Sequence, residues 1–449
     1  MAEYLLPLMM LAALIAVIFS GYPVAFGLAG IGIAFAVLGD LPFLFLGTVV
    51  SRIFSGVIAN WLLLAVPLFV FMGLMLERSG MARNLLLSLE RLLGGVRGGL
   101  ACAVALLGIV LAASTGIIGA SVVLMGVLAL PVMLRNGYDK GIACGTVAAS
   151  STLGILIPPS IMLVLMGDIL QISVGDLFAA AMLPGLALGG LYIIYILTIA
   201  ILRPELVPAA KVQFDQKSAL SVTLVLLRDL IGPVILIVFV LGSIIAGIAT
   251  PTEAAAIGAA GALLLCVVSG QFNWVTLKET ILETGLTTGM ILFIAIGATC
   301  FSAVFKRLGG ARMIEDAVFG LSIGPWETLG LVMLLIFFMG FVLEWIEISY
   351  IVLPLFAPVI AIMDFGFAIS QSETLLWFAL LVAVNLQASF LTPPFGYALF
   401  YLKGVVPPEI SITDIYRSIT PFVLLQLLGL ALVICFPSLV LWLPRYLAG

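Results

Sequence analysis

Two proline pairs, Pro158-Pro159 and Pro393-Pro394, sit inside long apolar runs. Proline lacks a backbone N–H and its ring clashes with the preceding turn, so each pair must break any helix that contains it. In lipid, the carbonyls freed by such a break are tolerated only where they are buried in protein or face a water-filled cavity. Side chains bearing neutral oxygens cluster upstream of each pair: Ser150, Ser151 and Thr152 before the first, Asn385, Gln387, Ser389 and Thr392 before the second. Such oxygens, with the freed carbonyls, suit a hard cation such as Na+, while N–H groups at a half-helix N-terminus suit a carboxylate. A further segment, GFVLEWIEIS (340–349), carries Glu344 and Glu347, the only acidic pair that the hydropathy pattern places deep. These are cation ligands, protonatable groups or gate contacts, or else they lie solvated in a hydrated turn. Each hydroxyl has its own structural alternative, since Ser and Thr in membrane helices also bond the turn above or pack on a neighbour. Glu253 reads differently: in TPTE (250–253) it follows a Thr N-cap and a Pro at the first helical position, which is a capping box.

Of the 449 residues, 64% are hydrophobic and 9% charged, with a mean hydropathy of +1.35. That is an all-α integral membrane protein whose solvent is the lipid bilayer. A net charge of -4, spread over many loops, gives no surface for nucleic acid. Without a single histidine, imidazole proton relays, His-based triads and the commonest metal ligands are excluded. The five cysteines, Cys102, Cys144, Cys266, Cys300 and Cys435, are isolated in apolar stretches and read as small hydrophobes instead of metal ligands or disulfides. No cofactor is expected. The N-terminus, MAEYLLP, has no basic region and reads as a first span, not a cleaved signal.

Apolar runs long enough to span occur at 4–20, 22–39, 59–77, 139–170, 178–202, 229–249, 251–269, 287–305, 372–403 and 419–443. Between them, 98–135 and 326–364 are each a pair of shorter apolar arms around a polar or Gly-containing middle. The amphipathic stretches beginning at Asn84 and at Thr276 read as helices lying along the interface. Landmarks recur in order across the two halves: RSGMAR (78–83) with RLGGAR (307–312), IPPS (157–160) with TPPF (392–395), and ISVGDL (172–177) with ISITDI (410–415). One half is thus a diverged copy of the other: 1–202 and 229–449, joined by a charged linker at 203–228. If each arm pair is a re-entrant hairpin, each half crosses five times, and an odd count makes the copies inverted. Placing both termini outside puts all 18 basic residues on the inner side except Arg52, Lys306, Arg307, Arg312 and Arg445, in keeping with the positive-inside rule.

Inverted repeats with discontinuous helices are the architecture of a secondary transporter, with sites near the midplane where the breaks meet. In the first half ASTGIIGAS (113–121) would face the break at 150–160; in the second, 340–349 would face the break at 385–396. A redox proton pump would need a chain of buried Lys, Glu or His, and none forms. An intramembrane hydrolase would need a nucleophile with a base, or aspartates at depth; here the aspartates fall near span ends. A carrier that works alone, without a binding protein, stands as the second reading.

The segments ASSTLGILIPPS (149–160), GIATPTEAAA (247–256) and NLQASFLTPPFGYALFYLKG (385–404) resemble the large membrane subunit of tripartite ATP-independent periplasmic (TRAP) transporters, DctM-like, and the resemblance runs through essentially the whole chain. It implies an elevator-type carrier in the bacterial inner membrane: scaffold helices within 1–97 and 229–323, and a mobile unit built from hairpins 98–135 and 326–364 with broken helices 139–170 and 372–403. It also implies Na+ as coupling ion, a small four-helix membrane subunit, and a periplasmic substrate-binding protein that delivers an organic acid. By the same resemblance, one Na+ site draws on Ser114, Thr115, Gly116 and Ser121 with Ser151, Thr152, Gly154 and Pro158. The other draws on Glu347 and Ser349 with Gln387, Ser389, Thr392, Pro393 and Gly396, and the substrate lies between them. Ala120 stands where many members have a serine, and the acidic turn around Glu344 and Glu347 resembles the subgroup associated with monocarboxylates such as 2-oxo acids, and with mannitol and aromatic acids.

Overall fold

In a computed structural model, residues 4–78, 80–115, 118–209, 219–320, 323–393 and 396–448 are described, and among them every regular element is a helix. Six of these helices are long and apolar enough to cross a membrane unaided, and Phe43–Ile58 with Leu62–Arg78 forms a further span bent by 47°.

Two groups of helices can be distinguished by what they pack against. The outer frame comprises Leu5–Phe19, Val24–Leu38 and the bent span from the first half, with Ala219–Ile245, Pro251–Val268 and the long helix Trp274–Arg307 from the second. Within it the halves interleave: Trp274–Arg307 runs along Val24–Leu38, and Pro251–Val268 runs along Ala65–Arg78. Small residues make the close approach possible. A Cβ on Gly32 would stand 2.9 Å from Cys300 Sγ, and one on Gly297 would strike the Ala25 carbonyl.

Inside this frame lie two hairpins and two broken helices. The first hairpin pairs Gly99–Thr115 with Ile118–Leu128, and the first broken helix is Lys140–Thr152, a tight turn at Leu153–Ile155, then Ile161–Leu170. The second hairpin pairs Pro325–Met339 with Trp345–Ala361, and the second broken helix is Gln371–Leu391 followed by Tyr397–Val405. Packing is reciprocal: Ile161–Leu170 lies on the second hairpin's Trp345–Ala361, and Tyr397–Val405 lies on the first hairpin's Ile118–Leu128. Ile412–Cys435 packs on Lys140–Thr152, and Val174–Leu202 packs on Gln371–Leu391. The second broken helix is the most enclosed element, with every residue from Leu376 to Leu391 buried.

Helix starts follow local chemistry. The Thr250–Glu253 capping box is present, Thr250 N–H donating to Glu253 Oε2 at 2.8 Å and Glu253 N–H to Thr250 Oγ1 at 3.3 Å. Ser370 with Glu373 and Ser411 with Asp414 repeat it, and Asp139 accepts from the N–H of Gly141 and Ile142. Each cap satisfies donors that a helix N-terminus would otherwise leave bare.

Several expected boundaries shift. The span expected at 59–77 begins at Phe43, because Ser51, Arg52 and Ser55 dilute an otherwise helical stretch below the apolarity of a continuous run. The stretch from Thr276 is no separate interfacial helix; it is the first part of the single helix Trp274–Arg307. The span expected at 178–202 starts at Val174, capped by Ser173. The one expected at 419–443 is two helices, Ile412–Cys435 and Ser438–Ala448, divided at Pro437. The amphipathic stretch from Asn84 does form its own helix, Met81–Leu93.

Candidate functional site

Both breaks fall where the sequence places them, and hydroxyls tie each break to its own hairpin. In the first half, Ser151 Oγ lies 2.8 Å from the Val147 carbonyl and 3.3 Å from the Ser121 carbonyl, so break and hairpin share one polar contact. Thr152 Oγ1 donates to the Ala149 carbonyl at 2.9 Å and accepts from Gln426 Nε2 at 3.3 Å. Gly154 lies within the tight turn and Pro158 just after it, and both are buried. Gly116 lies outside the described residues; Ser114 and Thr115 close the first hairpin arm, and their side chains also lie outside them. Ser121 sits on the second arm and not in the turn, since helix resumes at Ile118.

In the second half, Ser389 Oγ donates to the Phe337 carbonyl at 2.6 Å and Asn385 Nδ2 to the Met333 carbonyl at 2.7 Å, stitching the broken helix to the first arm of its hairpin. Ser349 Oγ donates to Trp345 O at 2.6 Å and Thr392 Oγ1 to Ala388 O at 2.7 Å. A hydroxyl that donates its proton keeps lone pairs free, so these bonds orient the oxygens without exhausting them. Pro393 follows in the break, and Gly396 reopens the helix at φ +28°, where a side chain would also press on Leu399. Pro394 lies outside the described residues.

The atoms left over are informative. Gln387 is fully buried and neither amide atom has a partner; Glu347 is 9% exposed with Oε2 unpartnered. In the first half Thr146 Oγ1 and Ser150 Oγ are likewise buried and unpartnered. An orphaned buried polar group costs about 1–3 kcal/mol, and two on one residue in a packed helix call for a missing partner. The carbonyl and carboxylate oxygens of Gln387 and Glu347 fit a hard cation with oxygen ligands.

Both hairpins and both broken helices meet the frame around a cavity of about 520 Å³. Gly119 and Ala120, Ile161, Glu344 and Trp345, and Phe390 and Tyr397 line one wall; Glu77, Arg78, Glu283 and Thr287 line the other. Tyr397 Oη donates to Glu344 and lies 2.9 Å from Tyr401 Oη, joining the second hairpin tip to the far side of the break. Across the cavity Arg78 is held by Glu283 and, at 2.9 Å, by Glu279. Sequence reading misses this frame wall: RSGMAR registers only as a landmark of the repeat, and Glu279 and Glu283 look like the wet face of an interfacial helix. The signal available was the four-residue spacing of Glu279 and Glu283, which puts both carboxylates on one helix face where a single guanidinium can bridge them.

Residues 10–439 match the family model described as "Tripartite ATP-independent periplasmic transporter, DctM component". The chain is 31% identical over 389 residues to the C4-dicarboxylate TRAP transporter large permease protein DctM of Pseudomonas aeruginosa, covering 86% of this chain and 87% of that one. It is 30% identical to the sialic acid TRAP transporter large permease protein SiaM of Vibrio cholerae, covering 96% and 97%. With the isethionate TRAP transporter permease protein DctMQ of Oleidesulfovibrio alaskensis it shares 28% identity over its full length, spanning 67% of that protein. In fold it is similar to the Alcanivorax borkumensis YdaH transporter, with a TM-score of 0.63 at 18% identity over 89% of this chain and 90% of that one. The chain therefore belongs to the DctM component family of tripartite ATP-independent periplasmic transporters, a family of multi-pass membrane permeases and not of enzymes.

Proposed function

We propose that this protein is a Na+-coupled secondary carrier that imports an organic acid across the bacterial inner membrane, receiving it from a periplasmic binding protein. The observation that carries this reading is the fully buried, doubly unpartnered amide of Gln387, one helix turn from a break that frees backbone carbonyls, on a helix that packs against the one carrying Glu347 with its unpartnered Oε2. A cation bound there would complete the polar shell and stiffen the contact between break and hairpin. Its charge would also favour a carboxylate in the adjoining cavity, where the volume of about 520 Å³ accommodates a small acid. Coupling follows from this: ion and acid each lower the cost of binding the other.

Transport then requires the hairpins and broken helices to move as one body against the frame, an elevator motion, with both termini on the periplasmic side. The reciprocal packing of each half-helix on the other half's hairpin supports a single rigid unit. The family supports two partners: a small membrane subunit, for which the unmatched third of DctMQ leaves room, and a binding protein. The acidic turn at Glu344 and Glu347 favours a monocarboxylate such as a 2-oxo acid.

Reconstituted in liposomes with both partners, the protein is expected to accumulate the labelled acid retained by its binding protein only under an inward Na+ gradient. Equal accumulation when K+ replaces Na+ would reject the coupling.

A further inference from the structure

Two of the five basic residues that the charge count leaves on the outer side, Arg52 and Lys306, meet at a second, smaller cavity. Its volume is about 190 Å³, and it is bounded by Arg52 and Gly56 of the bent span, Thr299, Ser302 and Lys306 of the long helix, and Asp168 and Tyr350 from the moving elements. It therefore opens on the same seam as the central cavity, at the other end of Trp274–Arg307. At a rise of 1.5 Å per residue, Lys306 lies about 34 Å along that helix from Glu283.

The two ends differ in chemistry. Neither Arg52 nor Lys306 has an ion-pair partner among the described residues. Asp168, the one carboxylate lining this cavity, already accepts from Asn60 Nδ2 at 2.7 Å. Tyr350 is 8% exposed, and its hydroxyl has no partner. Two cations and a free hydroxyl thus face one engaged acceptor, a lining that lacks an anion. At the central cavity Glu77, Glu283 and Glu344 surround a single guanidinium, Arg78, that is already paired.

We propose that the outer cavity is an anion-accepting vestibule: Arg52 and Lys306 draw in the carboxylate of the incoming organic acid, and the Tyr350 hydroxyl donates to it, before the acid passes along the seam to the central cavity. This rests on the import reading above. Cationic walls in a narrow cleft concentrate anions, raising capture rates by roughly tenfold or more at low salt. The opposite lining at the inner end offers a released anion no comparable attraction. A volume of 190 Å³ suits a carboxylate with a short carbon chain and no larger ligand.

The test places a reporter in the vestibule. In intact cells, Ser302→Cys in a Cys435→Ser background is labelled from outside with an anionic and with a cationic methanethiosulfonate; the remaining four cysteines are buried. The anionic reagent is expected to react at least about fivefold faster, pyruvate or succinate to slow it where equal chloride does not, and Arg52→Gln with Lys306→Gln to abolish both effects. Equal rates for the two reagents, no protection by either acid, or no labelling from outside would each overturn the vestibule. In proteoliposomes the same double substitution should raise the KM for the labelled acid by about five- to twentyfold while leaving Na+ dependence intact, and Tyr350→Phe should raise it less; an unchanged KM in the double variant would also overturn it. Loss of Na+-driven uptake by the unaltered protein would instead strike the import reading, leaving the labelling result to stand by itself.

Discussion

Gln387 and Glu347 pose a question that substitution answers directly. If the Gln387 amide is merely an awkward core residue, replacing it by leucine removes two orphaned polar atoms and should leave stability unchanged or raised. If its oxygen binds the coupling ion, Gln387→Leu should still fold well yet lose the rise in melting temperature that Na+ confers on the unaltered protein. Retained Na+ stabilisation in that variant would remove Gln387 from the site. Gly340 provides a second handle, because a Cβ there would drive into the Ser389 hydroxyl that bonds the Phe337 carbonyl. Gly340→Ala is expected to cost about 1–3 kcal/mol and to weaken Na+ affinity together with stability, since it displaces an oxygen and strains the packing at once. Ser389→Ala should weaken Na+ affinity while costing only about 1 kcal/mol of stability.

The elements around these residues were unequally legible. Proline pairs state their consequence in the sequence alone, so both breaks and both hairpins could be placed to within a few residues; capping boxes are equally local, and Thr250–Glu253 needed no tertiary knowledge. The span from Phe43 was harder because Ser51, Arg52 and Ser55 interrupt its apolar run, and the first third of Trp274–Arg307 because Glu279 and Glu283 are held by a distant arginine that no window of sequence contains. Glu279 and Glu283 read as solvent-facing until Arg78, some two hundred positions earlier, is seen to hold them. For the same reason Glu347 and Ser349 could be named as candidates while the frame wall opposite them could not. The Arg78 bridge is half exposed, so a double-mutant cycle with Glu283 should return a coupling of only about 0.5–1 kcal/mol in stability. Its larger effect is expected on shape: Arg78→Gln should impair uptake by loosening the bent span against the long helix, and the charge-exchanged pair Arg78→Glu with Glu283→Arg should recover most of it. No recovery by the exchanged pair would mean that Arg78 meets the substrate itself.

For the whole molecule, the decisive feature is that one seam carries both cavities. Frame residues form one side of each, hairpins and broken helices the other, and on the inner side each half-helix packs on the other half's hairpin. The proposed elevator motion follows this seam, the inner body sliding along the frame with its solute, whereas a pore opened through the hairpins would unpair the hydroxyl–carbonyl bonds that tie each break to its hairpin. Motion of this kind can be arrested without touching the ion site. With cysteines at Thr287 on the frame and at Ile118 on the first hairpin, which line the same cavity from opposite walls, a bifunctional thiol reagent spanning the gap should abolish uptake, and a cleavable version should restore it on reduction. Na+ stabilisation should survive the cross-link, since Gln387 and Glu347 lie on the second broken helix and hairpin, away from both cysteines. Full uptake with the link in place would exclude sliding and require a path inside the body instead.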